Sequence, residues 1–187
     1  MSFSLIILAG GKSSRMGTDK GLLSFKGKPM IQHVIDNLAS KFQETIIVSN
    51  NKHYDQFKKI RVADNHTSIG PLGGIEAGLF ASSTINNIIV SCDSPFTSID
   101  LTNFIVEHHK HKDVIFLENN GLHPFPGFYH KRILPKIKAM IDKQDYKIAN
   151  LKNYCRVQNL DCSGFDEKYF INFNSTDQIE KFNENPS

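Results

Sequence analysis

Short apolar runs recur along this chain, and most are separated by segments whose apolar positions repeat at helical spacing. Leu5-Ile6-Ile7-Leu8 is the first, a block suited to a buried strand. Gly21 to Phe25 is a second apolar segment, closing at Gly27-Lys28-Pro29. Pro29 suits the first residue of a helix, because its φ is already set and it has no N–H to lose. Met30, Ile31, Val34, Ile35 and Leu38 follow at helical spacing, so an amphipathic helix is predicted from 29 to about 42. Thr45 to Val48 reads as a β-branched strand ending at Ser49-Asn50-Asn51, with a short helix or loop after it. Ile60 to Ala63 is a weaker strand that stops at Asp64. Gly70-Pro71-Leu72-Gly73-Gly74 then opens a helix carrying Ile75, Leu79 and Phe80. Ile85 to Ser91, with Ile88-Ile89-Val90 inside it, is the clearest central strand, and it empties into Cys92-Asp93-Ser94-Pro95. Leu101, Phe104, Ile105 and His108 mark another helix, and Asp113 to Leu117 a fifth strand.

Strands alternating with helices in this rhythm predict an α/β fold with a parallel, doubly wound sheet. The last third is less regular. Phe125 to Tyr129 reads as a loop entering a strand, Ile133 to Ile141 as a helix despite Pro135, and Tyr154 to Leu160 as a strand. Tyr169 to Asn174 alternates apolar and polar residues before a final helix, with Ser175 or Thr176 as its N-cap. With no internal repeat and no linker, residues 1–187 are expected to form one domain.

Composition narrows the function. At 187 residues, 40% apolar and 22% charged, the chain can bury a real core. The net charge of +3 comes from scattered lysines, so no nucleic-acid footprint stands out, although anionic small molecules are favoured. No apolar run approaches the roughly 20 residues that span a bilayer, and the start lacks a signal-peptide pattern. A cytoplasmic protein that engages neither membrane nor nucleic acid is the expectation. Three cysteines without CxxC spacing indicate reduced thiols rather than a disulfide frame or zinc site. His108, His109 and His111 fall at a helix end, where they favour the negative pole of its dipole.

In an open α/β sheet, ligands sit outside the carboxyl ends of the strands. The first strand supplies Gly10, Gly11, Lys12, Arg15, Gly17 and Lys20, a glycine-rich basic loop. Glycines let backbone N–H groups approach a phosphate chain, and the cations neutralise its charge. The second strand supplies Asn50 and Asn51, the third Asp64 and the fourth Asp93. Taken alone, Asp93 in Asp-Ser-Pro reads equally well as a turn residue. Beside a phosphate-binding loop it reads as a Mg²⁺ ligand, because Mg²⁺ is held through one or two carboxylates plus phosphate oxygens. Neither GxxxxGK[ST] nor GxGxxG is present, so P-loop and dinucleotide folds are not indicated.

Leu8-Ala9-Gly10-Gly11-x-Ser13-x-Arg15-Met16-Gly17-x-Asp19-Lys20 resembles the signature of nucleotidyltransferases with a Rossmann-like fold. It is most similar to the MobA family of molybdenum cofactor guanylyltransferases. The similarity continues through Gly27-Lys28-Pro29, Gly70 to Gly74, Cys92 to Pro95 and Asn172-Phe173-Asn174-Ser175-Thr176. The resemblance implies a three-layer α/β/α domain with a mostly parallel sheet. It also implies transfer of GMP from GTP to the terminal phosphate of Mo-molybdopterin, with Mg²⁺ as cofactor. Leu8, Ala9, Gly10 and Gly11 would meet the nucleotide through backbone groups, and Lys20 its phosphates. Asp64 would bind GTP through guanine N–H groups, and Asp93 would hold the metal ion. The family's asparagine after the second strand matches Asn50 or Asn51, with Ser49 competing for the position. Arg15, Lys20 and Asp93 would carry catalysis. Asn172, Asn174 and Lys147 would face the pterin substrate, and a molybdoenzyme delivery protein would receive the product.

Two other readings stand beside this one. A cytidylyltransferase of the same superfamily, acting on molybdopterin or on an isoprenoid-precursor alcohol phosphate, shares the fold and loop. A GTP-binding cofactor-carrier module would keep the pocket without turnover.

Overall fold

The computed structural model describes residues 2–10, 19–66, 69–173 and 176–184. β1 (Phe3–Leu8) lies between β4 (Glu44–Val48) and β6 (Asn86–Ser91) and is parallel to both. β5 (Ile60–Val62) extends the parallel set beyond β4. On the other side β8 (Leu122–His130) runs antiparallel between β6 and β7 (Val114–Glu118), and β9 (Val157–Asp161) closes the sheet parallel to β7. The seven-stranded order is β5-β4-β1-β6-β8-β7-β9. Among the described residues no helix is long and apolar enough to cross a membrane.

Alternation along the strands distributes their side chains to two faces, as the pleat requires. Leu5, Ile7, Ile47, Ile88 and Val90 point to one face, where Ile31, Val34 and Leu38 of α1 (Met30–Leu38) and Leu101 and Ile105 of α3 (Ile99–His108) cover them. Ile6, Leu8, Ile46, Val48 and Ile89 point to the other. There they meet Leu72, Ile75 and Leu79 of α2 (Pro71–Ala81) and Ile137 and Met140 of α4 (Leu134–Asp142). The result is the three-layer α/β/α arrangement that the strand–helix alternation implies. α2 presses close to the sheet: a Cβ at Gly78 would lie 2.6 Å from Ile6 Cγ2.

Three local expectations change. Pro29 is the N-cap of α1 rather than its first residue. It also belongs to a short hairpin of β2 (Ser24–Phe25) and β3 (Lys28–Pro29), turned by Lys26 and Gly27 at φ 47° and 79°. α1 itself stops at Leu38 and is followed by a 3-10 turn at Ala39–Lys41. Phe125 to Tyr129 is not a loop but the interior of β8. Its prolines are accommodated because the β7–β8 register shifts between Ile115 and Leu117, leaving Pro124 and Pro126 outside the paired positions. Near the C-terminus a 3-10 helix spans Glu167–Phe170, and α5 spans Thr176–Glu184. Ser175, one of the two N-cap expectations, lies outside the described residues.

Candidate active site

The parallel strands β1, β4, β5 and β6 deliver their carboxyl ends to one rim. Ala9 N donates to Val48 O at 2.9 Å and Cys92 N to Leu8 O at 3.0 Å, so the exits of β1, β4 and β6 are tied together. Leu8 and Ala9 are buried there, while Gly10 is exposed. Gly11 and Arg15 lie outside the described residues. Asp19 caps a 3-10 turn over Lys20–Leu22 by accepting from Gly21 N. That turn carries Lys20 toward the end of β6, where Lys20 Nζ stands 3.9 Å from Asp93 Oδ2. Ser91 Oγ donates to the other carboxylate oxygen of Asp93 at 2.6 Å and orients it.

Asn50 and Asn51 do different things. Asn50 bridges the exits of β4 and β5, donating to Asp64 O at 3.0 Å and accepting from Asp64 N at 2.9 Å. Asn51 turns toward Asp19, donating to its Oδ2 at 3.1 Å, and caps the 3-10 helix Lys52–Phe57 through His53 N. Ser49, the competing candidate, is buried under this turn and its carbonyl accepts from Arg61. The Asp64 carboxylate accepts from His66 N at 2.7 Å, and the His66 ring meets Glu76 of α2 at 3.1 Å. Gly73 makes this approach possible, since a Cβ there would lie 2.6 Å from Asp64 Oδ1. Cys92 is buried, and burial with the neighbouring Asp93 pushes its thiol far up, so it is not a nucleophile at neutral pH.

A basic turn faces a carboxylate at the carboxyl end of the parallel strands, where open α/β sheets bind their ligands. The MobA-like NTP transferase domain matches residues 5–156 of this chain. The chain belongs to that family. A probable molybdenum cofactor guanylyltransferase of Flavobacterium johnsoniae is 34% identical over 188 residues, covering 100% of this chain and 99% of that protein. The molybdenum cofactor guanylyltransferase of Vibrio cholerae is 37% identical over 185 residues, covering 96% and 90%. Among solved structures, molybdopterin-guanine dinucleotide biosynthesis protein A from Archaeoglobus fulgidus superposes with a TM-score of 0.82 at 21% identity, over 97% of each chain. The 4-diphosphocytidyl-2C-methyl-D-erythritol synthase of Anaerococcus prevotii reaches 0.76 at 14% identity, over 98% of this chain and 95% of that one. The MobA-like fold is thus shared with an enzyme whose name carries a different base.

The pterin-side expectations separate. Asn172 joins the site: its Oδ1 accepts from Ser94 Oγ, and the next residue, Phe173, donates its N–H to Asp93 O at 3.0 Å. Asn174 lies outside the described residues. Lys147 precedes the 3-10 helix Ile148–Asn153. Ile148 and Leu151 of that helix pack with α2 and α4, on the sheet face that also carries Leu8 and Val48. Ser91 and Tyr54 are site-forming residues that the reading of motifs passed over. Ser91 was legible as a hydroxyl ending β6, two residues before Asp93; Tyr54, in a polar stretch, carried no such signal.

Proposed function

We propose that this chain transfers GMP from GTP to the terminal phosphate of Mo-molybdopterin, forming a dinucleotide cofactor and releasing pyrophosphate. The observation that carries the reading is the Lys20–Asp93 pair at the shared exit of β1 and β6. The near-full-length identity to guanylyltransferases supports it. In this reaction an oxygen of the pterin phosphate forms a bond to the α-phosphorus of GTP, and the bond from that phosphorus to the pyrophosphate oxygen breaks. The nucleophile is already ionised at neutral pH, so no side chain has to remove a proton. In-line positioning is the larger part of the task. Backbone groups at Leu8, Ala9 and Gly10 bind the nucleotide, and Lys20 stabilises the charge that grows on the leaving pyrophosphate. Asp64 selects the base by accepting from guanine N–H groups, with Asn50 holding its backbone in place.

The donor set at the site fits Mg²⁺. Asp93 offers a hard carboxylate oxygen, and among the described residues no group of three or more His, Cys, Asp or Glu converges into a protein cage. One carboxylate completed by phosphate oxygens is the Mg²⁺ pattern. Held by Asp93, the ion would neutralise charge on the phosphate oxygens as they react. Asn172, next to Asp93 through Ser94 and Phe173, lines the acceptor side. The product is a cofactor for another enzyme, so a molybdoenzyme or its delivery protein is the partner that follows.

The second reading, cytidylyl transfer, has the shared fold in its favour. Purified protein with Mg²⁺, Mo-molybdopterin and either GTP or CTP separates the two. We expect pyrophosphate release with GTP, and about 10²-fold less with CTP because a site built to hydrogen-bond one base leaves its polar groups unpaired with another. Release with CTP alone would replace the guanylyl reading, and GTP binding without release would favour a carrier module.

A further inference from the structure

Tyr54 is fully buried on the 3-10 helix Lys52–Phe57, its ring 5.9 Å from that of Phe57 and packed into the core beneath the sheet. Its hydroxyl does not serve that packing. It donates to Asp19 Oδ1, while Asn51 Nδ2, three residues earlier, donates to Asp19 Oδ2 at 3.1 Å. Both donors come from the segment after β4, so that segment grips the carboxylate through both of its oxygens. Burial and the adjacent carboxylate push the phenol far above its ordinary range, so the hydroxyl keeps its proton and remains a donor. Hydrogen bonds to an ionised acceptor are the strong ones.

Asp19 in turn defines the turn that carries Lys20. Gly21 N donates to Asp19 Oδ1 at 3.3 Å, Leu22 N to Asp19 O at 3.0 Å and Leu23 N to Lys20 O at 3.1 Å. The turn has no slack: a Cβ at Gly21 would run into the Tyr54 hydroxyl and lie 3.0 Å from Cys92 Sγ. Lysine is a long, flexible side chain, so a fixed origin is what lets its ammonium group hold one distance from a neighbour. The chain of contact therefore runs from Tyr54 through Asp19 to the Lys20 turn and ends at Asp93.

We propose that Tyr54 is a positioning residue for transfer: acting through the Asp19 carboxylate, it sets where Lys20 stands relative to Asp93. The proposal rests on the reading of Lys20 and Asp93 as the phosphate-handling pair, and its test is chosen to fail separately. Tyr54→Phe keeps the ring and removes only the hydroxyl. In the full chain without substrate, amide exchange at Gly21, Leu22 and Leu23 is expected to speed up at least tenfold, with β1 and β6 amides unchanged. With GTP and the pterin acceptor, kcat is expected to fall about tenfold while the KM for GTP moves less than threefold. Combining Tyr54→Phe with Asp19→Asn should cost little beyond Asp19→Asn alone, since both remove the same contact. Unchanged exchange at Gly21 to Leu23 would overturn the proposal, as would rate losses that add fully in the double variant. If the unmodified protein releases no pyrophosphate from GTP, the guanylyl reading fails, and the exchange measurement still decides the clamp.

Discussion

The strands of this sheet end in polar clusters at both extremities, and the two clusters are built on opposite logic. At the amino ends, Glu44 opens β4 and its Oε1 accepts from Ser4 Oγ at 2.5 Å, Ser83 N at 2.7 Å and Ser83 Oγ at 2.8 Å. Ser82 and Thr84 complete the network with Ser4, and all three are buried. The chain meets the needs of that carboxylate itself. At the carboxyl ends, Lys20 Nζ stands 3.9 Å from Asp93 Oδ2, beyond direct hydrogen-bond length. The amino-end carboxylate is enclosed by the chain's own hydroxyls, whereas the carboxyl-end pair of opposite charges meets at longer range beside the shared exit of β1 and β6. Polar side chains at a strand end do not by themselves mark a site.

This contrast predicts opposite responses to mutation. At the carboxyl end, Asp93→Ala should lower turnover most, by about 10³-fold, since both ion binding and charge placement depend on it. Lys20→Ala should cost about 10²-fold. Both variants should melt within a few degrees of the parent, which steady-state pyrophosphate release and thermal unfolding together check. At the amino end, Glu44→Ala should leave kcat unchanged and cost about 1–3 kcal/mol of stability, because the hydroxyls of Ser4, Ser82 and Ser83 lose their common acceptor. Denaturant titration measures that loss. A drop in kcat without one would erase the distinction between the two ends.

The smallest effect sharpens the same point through pH. Burial raises the Glu44 carboxyl, but hydrogen bonds from Ser4, Ser83 and Ser82 outweigh it, so the folded value lies below the ordinary 4.5. A carboxyl depressed by folding contributes stability above its unfolded value and loses it as pH falls through the folded one. The stability gap between the parent and Glu44→Gln should therefore be complete at neutral pH and shrink below about 4.5. A gap that stays constant down to pH 3 would mean that the charge of Glu44 contributes nothing.

Much of this was legible from residue order, for reasons that also explain the rest. Runs such as Ile88-Ile89-Val90 are buried on both faces, so their strand character survives any context, and parallel strands carry their exit residues to one rim. Asn50, Asp64 and Asp93 follow three such strands and lie at that rim. β8 escaped because its two prolines argue against an interior strand, and only the register shift opposite Ile115 makes room for them. Tyr54 was invisible for a related reason: its function lies in a contact with Asp19, 35 positions away, that no local pattern encodes.

The most direct test of the central claim is the fate of the phosphates of GTP. Protein incubated with Mg²⁺, Mo-molybdopterin and GTP labelled at the α or γ phosphorus should send the α label into a dinucleotide product and the γ label into pyrophosphate, with neither transfer in Asp93→Ala. Release of the γ label as inorganic phosphate, with the α label left on GDP, would contradict nucleotidyl transfer at this site.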